Sequence, residues 1–251
     1  MTYDATDPNN PYPNNPAVLA QYENLTAFKN GESGMFVHEI GAVQIVNAKV
    51  TDHPQAGVEV HDTWWAGTGY QKVIGGLFIG KSSNDGGEVG NNVHGVIAPS
   101  SPGFEITGSR FFNYNEGNNA ALGDCSYCSS WTSTDSGARQ VDTSALYFDA
   151  DSVTKRIYYQ WPRTTIWKDD DGTLTGIGSQ TWAVRDWKHI QDLDECTYDS
   201  AVYDGLICDS SIRVRRLAFW GFSPDYFYGS QMKVTQFERT DEQILKFQDK
   251  L

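Results

Sequence analysis

Apolar and polar positions alternate along Val43-Gln-Ile-Val-Asn-Ala-Lys-Val-Thr-Asp52, and the same phrase returns at Phe104-Glu-Ile-Thr-Gly-Ser-Arg-Phe-Phe-Asn113. The apolar pairs are Val43/Phe104, Ile45/Ile106 and Val50/Phe111; Lys49 matches Arg110, and Asp52 matches Asn113. A third copy lies over Ile212-Arg-Val-Arg-Arg-Leu-Ala-Phe-Trp-Gly221. Period-2 alternation spells a strand. Each phrase is therefore a strand, a kink and a second strand closing on Asp, Asn or Gly, and Gly57-Val58-Glu59-Val60 adds another strand after the first copy. Alternation with frequent turns also suits a β-sandwich. The phrases lack two-residue hairpin signals between them, however, and parallel strands stacked turn upon turn need none. The pattern predicts an all-β fold: a right-handed parallel β-helix, a solenoid with long loops and a short C-terminal helix. A repeat of roughly 20–25 residues would give about eight to ten turns.

The flanks read differently. Residues 1–24 begin with an Asn/Pro run that admits neither helix nor strand, and are expected to form an arm or cap. The β-helix domain is expected over 25–235 and a helical tail over 236–251, where Thr240-Asp241-Glu242-Gln243 forms a capping box ahead of Ile244, Leu245 and Phe247. Two stretches are expected as loops: the Gly/Ser/Asn-rich residues 80–103, and the acidic residues 185–210, stapled by Cys196 and Cys208.

Composition removes several classes of function. The 251 residues carry 19 Lys and Arg against 32 Asp and Glu, a net charge of −13. Such a surface repels phosphate polymers, so no nucleic-acid partner is expected. No stretch approaches the roughly 18 apolar residues of a spanning helix, so no membrane insertion is expected in this segment. No apolar leader precedes the arm, which leaves a cytosolic chain or a piece of a longer secreted protein. Four cysteines fall at 125, 128, 196 and 208. Neither a helix-opening redox CxxC nor a pair of zinc knuckles matches their surroundings. Disulfides are expected, with Cys125–Cys128 and Cys196–Cys208 preferred and the cross-pairings open. Asn24-Leu25-Thr26 is an N-glycosylation triplet.

Three further phrases carry a resemblance. Ala121-Leu-Gly-Asp-Cys-Ser-Tyr-Cys128, Trp167-Lys-Asp-Asp-Asp-Gly-Thr-Leu-Thr-Gly176 and Ile212-Arg-Val-Arg-Arg-Leu-Ala-Phe219, with Gln160-Trp161-Pro162 before the second, resemble phrases of the fibrocystin-L-like family in order and spacing. That family also holds fibrocystin, the cell-migration-inducing hyaluronan-binding protein and its transmembrane paralogue. The resemblance covers at least residues 25–235. It implies a parallel β-helix ectodomain segment, extracellular or at the cell surface. Gln160 stands where the family phrase has Arg, and no G8 domain is present.

Among candidate site residues, Asp169, Asp170 and Asp171, with Asp149 and Asp151 about one turn earlier, are hard oxygen donors that would suit calcium. The same Asp-Gly chemistry makes an ordinary turn, and no EF-hand frame follows. No other cofactor is expected. Paired carboxylates on a groove also cleave polysaccharides; Asp149, Asp169 and Asp171 with Arg156 or Arg163 are the candidates. His61-Asp62 beside Trp64-Trp65 is the one suggestive histidine grouping, a general base by a sugar platform, but such a pair is more often a surface turn with a satisfied imidazole. Trp64, Trp65, Trp131, Trp161 and Trp167, with Tyr70, Tyr158 and Tyr159, would stack on sugars if exposed, or fill the core if not. Two readings follow. The first is a structural and adhesive module contacting extracellular glycans, matrix proteins or copies of itself in a surface coat or filament. The second is a depolymerase of a hyaluronan-type polysaccharide.

Overall fold

The structure, a computed structural model, describes residues 20–38, 43–60, 71–87, 89–90, 93–99, 104–123, 139–158, 165–184, 196–199 and 205–209. The chain divides into two compact units, Met1–Arg216 and Leu217–Leu251, and every described residue belongs to the first. Its described residues are all β, with one short 3-10 turn at Ser152–Thr154.

Three sheets are built in rotation. The first rung is β1 (Ala20–Glu23), β2 (Thr26–Phe28) and β3 (Ser33–Val37); the second is β4 (Val43–Val46), β5 (Lys49–Thr51) and β6 (Ala56–Val60). The third is β7 (Gln71–Ile74), β8 (Leu77–Ile79) and β9 (His94–Ile97); the fourth is β10 (Phe104–Thr107), β11 (Arg110–Phe112) and β12 (Ala120–Gly123). The fifth is β13 (Arg139–Ser144), β14 (Tyr147–Phe148) and β15 (Ile157–Tyr158), followed by β16 (Thr165–Asp169), β17 (Thr181–Val184), β18 (Thr197–Asp199) and β19 (Gly205–Asp209). Each rung gives one strand to each sheet. Sheet A runs β1-β4-β7-β10-β13-β16 and continues through β17-β19-β18; sheet B is β14-β11-β8-β5-β2, and sheet C is β15-β12-β9-β6-β3. Every pairing within sheets B and C, and within sheet A up to β16, is parallel. This is the strand order that a parallel β-helix requires.

The expected repeat length does not hold. Val43 stacks on Ala20 after 23 residues, but Val141 stacks on Phe104 only after 37. The growth comes from connections between sheets, and among the described residues five full rungs form, where eight to ten turns were expected for the chain. Residues 80–103 are not a free loop: they contain β9, all of whose residues are buried. Residues 185–210 likewise contain β18 and β19, an antiparallel pair joined by the Cys196–Cys208 disulfide. The parallel stack ends at β16, because β17 turns back and pairs antiparallel with it, as β19 then does with β17. Among the described residues strand pairing starts at Ala20, inside the stretch expected as an arm. The phrase at 212–221 and the expected helix at 241–250 lie outside the described residues.

The core is a set of columns. In sheet A, Val43, Gln71, Phe104, Val141 and Trp167 stack in register, each 3% exposed or less. In sheet B the inward column is Ala27, Val50, Phe78, Phe111 and Phe148. The Phe78, Phe111 and Phe148 rings stack at 5.3 and 5.4 Å, within the range for offset aromatic pairs. Opposite this column, sheet C presents glycine. A Cβ on Gly57 would lie 2.8 Å from Phe78, and one on Gly95 would lie 2.7 Å from Phe111 and 2.6 Å from the Ala121 carbonyl oxygen. The aromatic column occupies the space that side chains at those glycines would need.

Gly95→Ala is expected to destabilise the chain by about 1–3 kcal/mol, through overpacking against Phe111 and backbone. Gly31→Ala, where a Cβ meets nothing within 4 Å, should stay within about 0.5 kcal/mol of wild type. Denaturant titration of both variants checks the pair.

Candidate functional site

Sheet B shows its other face to solvent. Because the inward column takes every second position, the outward columns are Thr26, Lys49, Leu77, Arg110 and Tyr147, and beside them Phe28, Thr51, Ile79 and Phe112. Phe28 is 53% exposed and Tyr147 is 49% exposed. The Arg110 guanidinium lies over both Phe112 and Tyr147, at 5.3 and 5.4 Å from the ring centroids, and the two rings are 5.7 Å apart. Lys29 lies over the Phe28 ring. Such contacts hold a cation at an apolar surface without a carboxylate. Indeed, residues 24–28, 47–51, 75–79, 108–112 and 145–148 contain no Asp or Glu, although the chain has 32. Of the acids that flank these segments, Glu23 is exposed and accepts from the Gln21 amide, whereas Asp52 and Asp149 are engaged within the fold. Asp52 is buried and accepts from the Ser82 backbone N–H and hydroxyl, each at 2.6 Å. Asp149 accepts from the backbone N–H groups of Asn113 and Ser152.

The carboxylate-rich phrase closes the far edge of this sheet. At each corner between sheets A and B sits a left-handed residue: Asn24, Asn47, Gly75, Gly108 and Ala145. The first four donate their backbone N–H to a carbonyl of the next rung. For Ala145 the chain beyond β16 has turned away, and the Asp171 carboxylate accepts its N–H at 2.7 Å. Thr173 Oγ1 accepts from the Leu146 N–H in the same way. Asp171 also accepts from the backbone N–H and hydroxyl of Thr173. Partial burial opposes its ionisation, but these hydrogen bonds prevail and hold the carboxyl below its ordinary range. Asp169 is buried and accepts from the backbone N–H and hydroxyl of Thr175; desolvation dominates there and raises its pKa. Asp170 pairs with Lys168 and accepts from Gln180.

Asp169 and Asp171 lie against each other, close enough to influence one another's ionisation, but Asp149 and Asp170 serve separate partners, and among the described residues no group of three or more His, Cys, Asp or Glu is placed to hold a metal ion. Asp151 precedes the 3-10 turn without a side-chain cap. Arg156 lies over the Phe148 ring and donates to the Leu174 carbonyl, which closes the end of the aromatic column. Trp167 is fully buried in the sheet A column, so it is a core residue and not a binding platform. Trp64, Trp65, Tyr70, Trp131, Tyr159, Trp161, Arg163, His61, Cys125 and Cys128 lie outside the described residues. Tyr158 stacks on His94 at 5.7 Å. Burial pushes the His94 imidazole down to about 4, against the opposing influence of the Ala120 backbone and Glu59. Burial also lowers His53, whose Nδ1 accepts from the Asn30 N–H. Asn24 is exposed.

No protein-family model matches the chain. Its similarity is to fibrocystin-L. Over 222 residues it is 25% identical to the human protein, and over 224 residues 25% identical to the mouse protein. The match covers 82% of this chain and 5% of either fibrocystin-L. The relationship is distant, and the chain spans only a small part of those relatives. The outward face of sheet B was not singled out from sequence, although the Lys49/Arg110 match within the repeated phrase was its signal. Among the described residues, no helix is long and apolar enough to cross a membrane.

Gly172 has φ +76°, and a Cβ there would lie 2.4 Å from the backbone nitrogens of Gly178 and Ser179. Gly172→Val is expected to cost about 1–3 kcal/mol in strain alone, and Asp171→Asn less, because the amide oxygen still accepts. Asp171 has a lowered folded pKa, so its contribution is complete above about pH 4 and is lost as pH falls through the folded value. Wild type should therefore lose stability below about pH 4 more steeply than Asp171→Asn. Thermal melts of both variants across pH, with calcium and with a chelator, check the ranking, the slope and the expected indifference to calcium.

Proposed function

We propose that the chain is a right-handed parallel β-helix segment of an extracellular or cell-surface protein, acting as a structural and adhesive module. Its contacts are with matrix, glycans or copies of itself, through the outward face of sheet B. The observation that carries this reading is that face: apolar and cationic, free of carboxylates, on a chain with net charge −13. Five strands at about 4.8 Å spacing make a strip about 19 Å long and one short strand wide. That is far below the roughly 800 Å² per partner of a stable globular interface, so the strip fits a linear acidic polymer or a narrow lateral contact. The distant similarity to fibrocystin-L supports the setting, and so does the Cys196–Cys208 disulfide, a bond that persists in oxidising compartments. What favours adhesion over depolymerisation is that Asp149, Asp169 and Asp171 are each engaged by backbone N–H groups of the fold.

The test is binding to immobilised extracellular matrix and to acidic polysaccharide. The double variant Lys49→Glu with Arg110→Glu is expected to weaken binding at least tenfold, about 1.4 kcal/mol, while Gln44→Glu on sheet A leaves it unchanged. Equal binding by wild type and the double variant would remove sheet B from the account. Shortening of the polysaccharide by wild type would replace adhesion with catalysis.

A further inference from the structure

We propose that the first-rung corner between β2 and β3, residues 30–33, is an acid-release latch: neutral His53 and His94 hold it closed, and it lets go when the two imidazoles take up protons. Both histidines are buried, His53 at 2% exposed and His94 at 1%. His53 lies between β5 and β6 in the second rung, and His94 opens β9 in the third. His53 Nδ1 accepts the Asn30 backbone N–H across the rungs at 3.1 Å. An accepting ring nitrogen keeps its lone pair, so the imidazole is neutral with its proton on Nε2. Among the described residues Nε2 is buried without a hydrogen-bond partner. It lies against Gly34, where a Cβ would come within 2.8 Å of it. A second proton has only Nδ1 to go to, and there it would face the Asn30 N–H, donor against donor. Protonating His53 therefore breaks the bond that ties Asn30 to the second rung.

The second tie runs through Glu59 on β6. This carboxylate is buried, and its Oε2 accepts from the Ser33 hydroxyl at 2.8 Å and the Gln55 amide at 2.7 Å. Ser33 is thus held to the second rung as Asn30 is. The two ties meet at one corner, because the Asn30 amide also donates to the Ser33 and Gly34 carbonyls. His94 stacks on Tyr158 of β15, and among the described residues neither of its ring nitrogens has a hydrogen-bond partner. A charged imidazole there would bury two unpaired N–H donors. Glu59 is the acid among the described residues whose charge acts on it, and drawing that carboxylate to an imidazolium takes it from Ser33. Beside His53 the acid is Asp52, already engaged by the Ser82 N–H and hydroxyl. Desolvation outweighs both acids and holds each histidine below its ordinary range. A histidine so lowered supports the fold in full above about pH 6.5 and withdraws that support as pH falls toward the folded value. That window lies above the one in which Asp171 acts.

Amide hydrogen exchange on the full chain, corrected for the intrinsic pH dependence of exchange, reads the latch. From about pH 7.5 to about pH 5, protection of residues 30–37 in wild type should fall at least about tenfold, while that of β10 and β11 in the fourth rung changes by less than about threefold. His53→Asn keeps an oxygen acceptor for the Asn30 N–H and cannot titrate, and His94→Phe keeps a ring against Tyr158. Each variant alone should reduce the acid loss, and the double variant should abolish it. If the double variant fails to fold, His53→Asn alone decides the matter. Unchanged protection of wild type at about pH 5 overturns the latch, and so does an acid loss in His53→Asn as large as in wild type. Equal loss in every rung is general acid unfolding and also overturns it. Binding through sheet B enters none of these readouts, so the latch stands or falls apart from the adhesive reading.

Discussion

Stacked rings on one wall of the interior, and bare backbone on the wall facing them, set the geometry of the third to fifth rungs. Phe78, Phe111 and Phe148 repeat at the strand spacing on sheet B. Sheet C meets them with Gly57 and Gly95, which sit too close for any side chain. Burying each ring contributes about 1.5–3 kcal/mol, and stacking adds about 0.5–1.5 kcal/mol. A slip by one residue on either wall would turn the rings out to water, so register is held by the core and not by the connections. This is why the connections can lengthen from rung to rung while the columns stay aligned.

The corners and ends follow from that stack. Each left-handed corner residue passes its N–H to the next rung, and the last has no next rung to use. The Asp169-to-Thr175 phrase solves this by supplying side-chain acceptors, Asp171 and Thr173, where backbone carbonyls have run out. The acids that look most like a metal or catalytic cluster are thus end-of-stack hydrogen-bond acceptors. The outer face of sheet B carries no carboxylates because its own segments contain none, and the same strand alternation that buries the phenylalanines places Lys49 and Arg110 outside.

The repeated phrase was legible because its columns are true columns: Val43 and Phe104, Ile45 and Ile106, Val50 and Phe111 each share a stack. One rung between them went unread. Gln71-Lys-Val-Ile-Gly-Gly-Leu-Phe-Ile-Gly80 has the same form, but Gln71 fills an apolar slot and two glycines stand at the kink. β9 was hidden for a related reason: Gly95 is a core position here, selected by Phe111 across the interior, and a glycine in a Ser/Asn-rich stretch reads locally as loop. The antiparallel end at β17 to β19 had no periodic signal, since it departs from the repeat. Trp167 was ambiguous in sequence because an aromatic at an alternating position suits either face; only the register with Val141 decides it.

The stacking of rungs is the central claim, and a distance across sheet B tests it most directly. Thr26 and Tyr147 are outward members of one column, four strand spacings apart. Their backbones should lie about 19 Å apart despite the long sequence separation. Spin labels at cysteines introduced at both positions, in a chain made without glycosylation, should give a single narrow distribution consistent with that separation. A broad distribution, or one centred well beyond the reach of the two labels, would contradict the stack.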